Sequence, residues 1–309
     1  MPSGKTESKV NKRVLISGAD GLIGQAITSC LEQLNCSVIK LSRQPYKGAI
    51  FWQPEAGELS KTALEKHPCQ AVIHLAGEPI AQRWRPETKQ RIYNSRVYGT
   101  ELLCERLAAL PHPPKVLIAA SGIGYYGCVA HEPCGENAPL GKGFLATLCE
   151  AWEGATAPAR NAGIRVVNLR LGIVLSSKGG ALAKLLRPMR FGLGGPVGKG
   201  DQYMSWIALK DVIGAMLHCL QHETLSGPVN AVAPHPLTNR ALIKTLAKAI
   251  KRPAFFPFPT KAVEWIFGQM GKETLLASQN IVPQKLLEAN YRFRYPTLDS
   301  ALKVCLEDA

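Results

Sequence analysis

The run Gly18-Ala19-Asp20-Gly21-Leu22-Ile23-Gly24 constrains the fold more than any other feature of this sequence. It follows an apolar segment, Arg13–Ser17, and opens an amphipathic segment, Leu22–Leu34. This order predicts a strand, a tight turn and a helix. Glycines at this spacing let the backbone approach a pyrophosphate, which then rests on the N–H groups and the positive end of the helix dipole. The run therefore predicts a dinucleotide site.

The end of the next predicted strand, Ser37–Leu41, indicates which dinucleotide is preferred. Sites for NAD usually have an Asp or Glu here, about 20 residues beyond the glycines, which accepts from the ribose hydroxyls. This chain has Leu41-Ser42-Arg43 instead. Arg43 is suited to a bidentate pair with a 2′-phosphate, and Ser42 can donate to the same group. We expect NADP(H), the alternative being that Arg43 is only a solvated loop arginine.

Composition excludes several classes of protein. With 309 residues, 46% hydrophobic and 19% charged, the chain is typical of a globular protein that buries a large core. No apolar run reaches the ~18 residues of a membrane span, and the polar, basic first dozen residues do not resemble a secretion signal. Nine cysteines, an odd number without a C-x-x-C pair, argue against a disulfide framework. A reducing, cytoplasmic setting is expected.

The net charge of +14, from 37 Lys and Arg against 23 Asp and Glu, raises the question of a nucleic-acid partner. No nucleic-acid motif and no dense Lys/Arg run accompanies it. We therefore expect a small anionic molecule and not nucleic acid as partner. Because no apolar run is long enough to span a bilayer, no membrane partner is expected either.

Alternation of strands and helices predicts an α/β fold with a doubly wound parallel sheet. Predicted strands are Arg13–Ser17, Ser37–Leu41, Ala71–Ala76, Lys115–Ser121, Ile164–Arg170 and Pro228–Ala233. Predicted helices are Leu22–Leu34, Pro86–Leu110, Phe144–Ala159 and Asp211–His222. Residues 12–235 are expected to form the dinucleotide-binding domain, and residues 236–309 a small lobe of turns and helices.

A Gly-rich segment, Phe191 to Gly200, interrupts the alternation. It lacks the G-K-[S/T] ending and the following helix of a P-loop. Either it closes over a substrate, or it is only a mobile connection.

Five segments carry a family resemblance: Gly18–Gly24, His74-Leu75-Ala76-Gly77, Arg96-Val97-Tyr98-Gly99-Thr100, Tyr125-Tyr126-Gly127 and Leu169-Arg170-Leu171-Gly172. Together they resemble the extended short-chain dehydrogenase/reductase (SDR) superfamily. More closely, the chain resembles an atypical branch described as the "epimerase family", with a C-terminal domain of unknown function. The shared segments are Leu75-Ala76-Gly77-Glu78-Pro79-Ile80, Gly122-Ile123-Gly124-Tyr125-Tyr126-Gly127, Phe191-Gly192-Leu193-Gly194-Gly195-Pro196 and Phe293-Arg294-Tyr295-Pro296. The resemblance implies a Rossmann fold, a nicotinamide cofactor with Leu75, Ala76 and Gly77 on its adenosine side, and, by analogy, a homodimer.

The superfamily's Tyr-x-x-x-Lys pair is absent from the matching segment. When Glu153 is aligned with the acid that commonly follows the pair, Leu145 falls at the tyrosine position and Cys149 at the lysine position. Neither side chain can perform the familiar proton transfer. Leu145, Leu148, Cys149 and Trp152 instead form an apolar helical stripe. Such surroundings raise a thiol pKa, so a nucleophilic Cys149 is disfavoured.

Arg96 is the second departure, since the superfamily often has Asn there. Ile92, Arg96, Gly99 and Leu103 share one helical face, so Arg96 is expected to point inward. A buried arginine needs an anionic partner, which is either a substrate phosphate or carboxylate, or Glu78. An anion-binding role and a structural ion pair both remain open at this point, and Glu78 and Arg96 are the candidate substrate-binding residues.

Candidates for chemistry follow the strand that begins at Lys115. Ser121 falls near the superfamily's Ser/Thr position, and Tyr125 and Tyr126 are the nearby phenols, one of which is a candidate proton donor; packed aromatics are the alternative. We expect His74 to be structural. Cys128, His131 and Cys134 lack a fourth ligand at a recognised spacing, so no metal is expected.

Two functions are compatible with these residues. One is an NADP(H)-dependent oxidoreductase or epimerase-like enzyme that acts on a small anionic metabolite. The other is a catalytically silent NADP(H)-binding sensor or scaffold, which the loss of both Tyr and Lys motivates.

Overall fold

The computed structural model describes residues 12–307, without the side chains of residues 129–131. The strands are β1 (Arg13–Ser17), β2 (Ser37–Ser42), β3 (Ala49–Gln53), β4 (Glu58–Leu59), β5 (Ala71–His74), β6 (Val116–Gly122), β7 (Val129–Cys134), β8 (Arg165–Leu171), β9 (Ile173–Leu175), β10 (Tyr203–Met204), β11 (Trp206–Ala208), β12 (Gly227–Ala231), β13 (Leu237–Thr238) and β14 (Gln279–Ile281). The α-helices are α1 (Leu22–Gln33), α2 (Lys61–Lys66), α3 (Pro86–Ala108), α4 (Phe144–Gly154), α5 (Ala157–Asn161), α6 (Gly180–Arg190), α7 (Leu209–Gln221), α8 (Asn239–Ala249), α9 (Thr260–Phe267), α10 (Gln269–Thr274), α11 (Gln284–Glu288) and α12 (Leu298–Glu307).

The main sheet has eight strands in the order β12-β8-β6-β5-β1-β2-β3-β4. All its pairs are parallel except β3 with β4, which is antiparallel. The strand order reverses between β1 and β5, and in such sheets ligands bind at the carboxyl ends of the strands beside that switch point. The predicted doubly wound sheet is confirmed.

Helices cover both faces of this sheet, which explains why its central strands are apolar on both sides. On one face, Ile27 of α1 and Met216 of α7 pack in a cluster with strand residues such as Ile16. On the other, Leu64 of α2 and Leu103 of α3 pack with residues such as Leu15. Two apolar layers therefore hold the sheet rigidly and fix the positions of its strand ends.

The six predicted strands are present, but the structure differs from the prediction in four respects. The strand β5 ends at His74, so Leu75 and Ala76 already belong to the crevice. The predicted helix Phe144–Ala159 is two helices, α4 and α5, separated at residues 155–156, where Pro158 in the first turn of α5 favours a new start. The edge strands β3 and β4 were not predicted.

The fourth correction concerns the C-terminal lobe, which was expected to hold only turns and helices. It contributes two short strands to small sheets, β13 paired with β10 and β14 paired with β7. Both partners lie in the larger domain. The lobe is therefore joined to that domain by backbone pairing as well as by side-chain packing.

Candidate functional site

The glycine turn after β1 has the shape that a dinucleotide requires. Gly18 has φ of +69°, and a Cβ there would lie 2.8 Å from the backbone nitrogen of Ala76. A Cβ on Gly24 would lie 2.0 Å from the carbonyl oxygen of Gly18. Side chains at these two positions would push the turn away from β5 and the helix away from the turn. Both positions therefore require glycine if the turn is to pack against the end of β5 and the start of α1.

The N-terminus of α1 faces this turn without a competing anion. Gly21 precedes the helix and provides no side-chain cap, and no acidic residue lies in the first turn. The amides of Leu22, Ile23 and Gly24 therefore have no side-chain acceptor within the described residues. Free amides and a positive helix end are what a pyrophosphate needs.

Ser42 and Arg43 stand at the end of β2, as the sequence predicts. Ser42 is buried, and its hydroxyl accepts a hydrogen bond of 3.0 Å from the amide of Gln44. Arg43 is exposed, and among the described residues it has no ion pair or hydrogen bond. The strand ends without a carboxylate, so an unpaired guanidinium is available where a 2′-phosphate would lie.

A buried hydrogen-bond chain fixes the wall formed by Leu75, Ala76 and Gly77. The Ser17 hydroxyl accepts from the amides of Leu75 and Ala76 at 3.2 and 3.3 Å, and its oxygen lies 2.6 Å from His74 Nδ1. With both acceptor positions used, the Ser17 hydroxyl donates to Nδ1. His74 therefore carries its proton on Nε2.

The chain continues from the sheet into the helices. His74 Nε2 lies 2.9 Å from the hydroxyl of Thr100 on α3, which also accepts from Trp152 Nε1 at 2.9 Å. His74 is fully buried, and burial, aided by the positive charge of Arg96, lowers its pKa to about 4. His74 is therefore a neutral structural residue, in agreement with the expectation from the sequence.

This pKa predicts how acid affects stability. Because the folded pKa lies below the ordinary value of 6.5, the unfolded chain binds the proton more tightly. The stabilisation is complete above the unfolded pKa and is lost as the pH falls toward about 4. Between neutrality and that pH, the wild-type protein should lose about 3 kcal/mol more unfolding free energy than His74→Gln. Urea unfolding at several pH values measures this, and parallel curves for the two proteins would refute it.

Arg96 lies where the sequence predicts, on the inward face of α3 against the crevice wall. It is 8% exposed, and its Cζ lies 3.1 Å from the position that a Cβ on Gly77 would occupy. The guanidinium packs on the Trp152 ring, 4.9 Å from its centroid. Among the described residues, its guanidinium donates hydrogen bonds only to backbone carbonyls, those of Glu78 at 2.8 Å and Ile92 at 3.4 Å.

Glu78 forms no side-chain hydrogen bond or ion pair with Arg96 among the described residues, although its charge acts on Arg96 from a distance. Its carboxylate accepts from Gln82 at 3.2 Å and lies 3.8 Å from Arg91, while only its backbone carbonyl meets Arg96. The close ion pair that the sequence allowed between Arg96 and Glu78 is therefore not formed in this structure. Burial lowers the Arg96 pKa to about 10, so the group stays protonated near neutrality with no carboxylate bonded to it among the described residues.

Helix α4 brings Leu145 and Cys149 to the opposite side of the crevice. Leu145 Cβ lies 2.9 Å from the Cβ position of Gly124, and Cys149 Sγ lies 3.7 Å from that of Gly122. Burial raises the Cys149 pKa to about 11, which excludes a thiolate near neutrality. The side chains that α4 contributes here, Leu145 and Cys149, are therefore apolar or uncharged.

The C-terminal lobe holds the start of α4. The carboxylate of Glu273 on α10 accepts from the amides of Phe144 and Leu145 at 3.1 and 2.9 Å. A carboxylate on these first-turn amides satisfies their hydrogen bonds and complements the helix dipole. This contact could not be predicted from local patterns, because the cap comes from a residue almost 130 positions away.

Ser121 and Tyr126 belong to one buried polar network. Ser121 donates to Glu153 at 2.7 Å, and Glu153 forms a bidentate pair with Arg170 at 2.7 and 2.8 Å. Arg170 also donates to the Tyr126 hydroxyl at 2.8 Å, and that hydroxyl donates to Asn230 at 2.7 Å. The network joins α4, β8 and β12.

This network changes the assignment of the candidate residues. The Tyr126 hydroxyl is bonded on both sides, and burial raises its pKa to about 12. The Ser121 proton is directed at Glu153. Both hydroxyl protons are therefore engaged within the network, Ser121 with Glu153 and Tyr126 with Asn230, so Ser121 and Tyr126 stabilise the strand ends.

Tyr125 is placed differently from its neighbour. It is only partly buried, and the Arg170 guanidinium stacks on its ring at 3.5 Å from the centroid. Within the described residues its hydroxyl has no hydrogen bond. Tyr125 is therefore held by its ring, with its hydroxyl left for another partner.

The remaining candidates add little to the site. Cys128 is exposed, and the His131 side chain lies outside the described residues. Within the described part, no group of three or more His, Cys, Asp or Glu side chains is placed to hold a metal. No described helix combines the length and the apolar character needed to cross a bilayer.

The fold and the crevice together define a Rossmann-type α/β protein with a dinucleotide-shaped glycine turn. Residues 14–232 match the NAD dependent epimerase/dehydratase family, and residues 258–305 match a domain of unknown function, DUF1731. The chain belongs to this epimerase family, whose SDR-type domain and C-terminal domain the resemblance anticipated.

Named relatives extend over nearly the whole chain. Epimerase family protein Mb2239 of Mycobacterium bovis is 39% identical over 94% of this chain and 97% of its own length. The human epimerase family protein SDR39U1 is 36% identical over 94% of this chain and 98% of its own length. A crystal structure of human SDR39U1 (isoform2) with NADPH has a TM-score of 0.88 at 33% identity, covering 96% of this chain and 100% of that one.

Proposed function

We propose that this protein is an NADP(H)-dependent oxidoreductase or epimerase-like enzyme that acts on a small carboxylate or phosphate. The proposed holders of the dinucleotide are the Gly18–Gly24 turn at the pyrophosphate, Ser42 and Arg43 at the 2′-phosphate, and Leu75, Ala76 and Gly77 beside the adenosine. The crystallised human relative, with its bound NADPH, supports this choice of cofactor.

The observation that carries the proposal is the buried Arg96. A guanidinium that is 8% exposed and lacks a carboxylate partner is costly unless an anion reaches it. Its position against Gly77, at the end of β5, is on the crevice at the carboxyl edge of the sheet. A carboxylate or phosphate of a substrate would complete this site with charge-assisted hydrogen bonds.

The chemistry uses groups other than the familiar pair. When bound, a nicotinamide dinucleotide supplies a hydride donor or acceptor. Tyr125 is the proposed proton donor to the substrate oxygen, because its hydroxyl is free while that of Tyr126 is not. Arg96 binds the anionic end of the substrate and orients it, and the apolar Leu145 excludes water from that side.

The function is tested by measuring NADPH oxidation, from nicotinamide absorbance, against a panel of small carbonyl-containing carboxylates and phosphates. The expected result is oxidation of NADPH with at least one of these anions, lost in Arg96→Gln and retained in Arg91→Gln. Arg91 is an exposed arginine on the same helix as Arg96, and it pairs with Glu78 in the preceding loop. Tight NADPH binding with no oxidation anywhere in the panel would contradict the proposed enzymatic activity. It would favour the second candidate function, a catalytically silent NADP(H)-binding sensor or scaffold.

The two adjacent tyrosines make a matched pair. Tyr125→Phe should reduce turnover on the order of 100-fold, since general acid catalysis contributes about that much, while NADPH affinity is unchanged. Tyr126→Phe should mainly lower thermal stability, because it breaks the bonds to Asn230 and Arg170. The assignment fails if Tyr125→Phe retains full turnover.

A further inference from the structure

The excess positive charge of this protein is concentrated in one part of the fold. Residues 178–200 carry five Lys and Arg, residues 239–263 carry six, and neither stretch contains an Asp or Glu. All eleven side chains are exposed: Lys178, Lys184, Arg187, Arg190, Lys199, Arg240, Lys244, Lys248, Lys251, Arg252 and Lys261. Among the described residues, none of them forms an ion pair with a carboxylate. We call this set the basic surface.

The two stretches pack against each other. Leu182, Leu186 and Met189 of α6 share a core with Leu242 and Leu246 of α8. Their polar faces point outward and carry the cations. Arg252 Nε donates to the carbonyl of Arg190 at 3.0 Å, so the C-terminal ends of the two helices meet.

Two apolar loops extend from this meeting point. Residues 191–198 read FGLGGPVG and residues 253–259 read PAFFPFP, without one polar side chain. Phe191 and Phe255 are 83% and 81% exposed, and Leu193 and Phe256 are 63% and 61% exposed. We call these four side chains the apolar tip. Large apolar side chains that remain in water together mark an interaction site.

Backbone bonds join the loops to each other. Phe256 donates to Gly194 at 3.0 Å, Phe258 to Pro196 at 2.8 Å, and Gly198 to Phe258 at 2.9 Å. Each loop therefore satisfies backbone groups of the other, which lowers the cost of removing them from water. The apolar tip is therefore held by hydrogen bonds between its two loops. Cations lie next to it in the chain: Arg190 directly precedes Phe191, and Lys251 and Arg252 precede Phe255 by a few residues.

We propose that the apolar tip and the basic surface form a docking site for an anionic lipid bilayer. Phe and Leu side chains would enter the boundary between headgroups and acyl chains, while Lys and Arg contact the anionic headgroups. This inference is independent of the proposed catalytic function. It revises the expectation of no membrane partner, which rested on the lack of a spanning segment.

Other occupants fit the surface less well. A second copy would place cations against cations, which opposes association. Nucleic acid would be attracted to the charge, but the two loops offer no side-chain donor or acceptor to base edges, so direct base readout is excluded there. An apolar tip set among unpaired cations is complementary to an anionic bilayer.

The test is sedimentation of the full chain with vesicles of phosphatidylcholine alone or with phosphatidylserine added. Binding should require phosphatidylserine and weaken as salt shortens the Debye length from about 10 Å at 0.1 M to about 3 Å at 1 M. Arg190→Glu with Lys251→Glu should reduce the partition coefficient at least about tenfold, at roughly 1 kcal/mol per basic residue. Phe191→Ser with Phe255→Ser should reduce it comparably, without changing its dependence on salt.

Matched controls separate this site from general charge and general hydrophobicity. Lys66→Glu with Lys115→Glu makes the same change in net charge elsewhere, and Leu34→Ser with Tyr46→Ser removes two other exposed apolar side chains. Both controls should bind vesicles as the wild type does, and thermal unfolding checks that all variants fold. The proposal is overturned if vesicles do not bind, or if the controls lose as much binding as the site variants.

Discussion

Arg43→Asp should weaken NADPH binding on the order of 100-fold while changing NADH affinity by no more than a few-fold. The wild-type guanidinium is exposed and unpaired among the described residues, at the end of β2. A bidentate pair with a 2′-phosphate is worth about 1.5–3 kcal/mol, and an aspartate adds repulsion of the same phosphate. NADH lacks this phosphate, and an acid at this position suits its ribose hydroxyls. Calorimetric titration of both nucleotides measures the two affinities.

Lys47→Asp is the matched control for Arg43→Asp. Lys47 is an exposed cation four residues further along the same loop, and its replacement changes the net charge equally. It should weaken NADPH only slightly, because the long-range field of one exposed charge is small and screened by salt. Equal losses for NADPH and NADH in Arg43→Asp, or equal effects of the two substitutions, would remove the argument for NADP(H).

Glu153→Gln should lower the free energy of unfolding by about 3–5 kcal/mol, the usual cost of leaving a buried charge without its partner. The Arg170 side chain is 3% exposed and that of Glu153 is 12% exposed, and the two groups are in bidentate contact. Ser121 also donates to Glu153, so its hydroxyl loses a charged acceptor. Urea unfolding at constant pH measures the loss.

A double-mutant cycle distinguishes an orphaned charge from general damage. Arg170→Met removes the cation, and in the background of Glu153→Gln it should cost much less than it does alone. A coupling energy near zero, or a loss below about 1 kcal/mol for Glu153→Gln, would show that the pair does not hold β8 to α4 as argued. Lys61→Met, at an exposed ion pair with Glu65, is the control and should cost less than about 1 kcal/mol.

Local patterns were sufficient for the central strands and for the glycine turn. Residues such as Leu15 and Ile73 lie on strands buried on both faces. Such strands are continuous apolar runs, and these predict a buried strand from the local sequence alone. The conformation of Gly18 follows from a spacing within seven residues. The inward direction of Arg96 was predictable because its helical face is otherwise apolar.

Contacts between distant residues could not be predicted in this way. The cap on α4 from Glu273, and the bonds of Tyr126 to Arg170 and Asn230, join positions more than 40 residues apart. From the sequence, Tyr125 and Tyr126 are interchangeable phenols. The fold alone separates them, because one hydroxyl is enclosed by the strand ends and the other is not.

The short edge strands were missed for a different reason. The strand β3 is only half buried, and β4 has two residues, so neither leaves a long apolar run. The break between α4 and α5 is similarly weak in the sequence, since the buried stripe continues from Trp152 to Ala159 across it. Pro158 was the available signal, because proline is favoured in the first turn of a helix and not in its interior.

Calorimetric titration of the purified, unmodified chain with NADPH, NADP⁺, NADH and NAD⁺ decides whether the crevice is an NADP(H) site. We expect saturable binding of one NADP(H) per chain, markedly tighter than that of NAD(H). Absence of heat and of competition with all four nucleotides would contradict it, since the glycine turn, the free helix amides and Arg43 would then have no ligand in common.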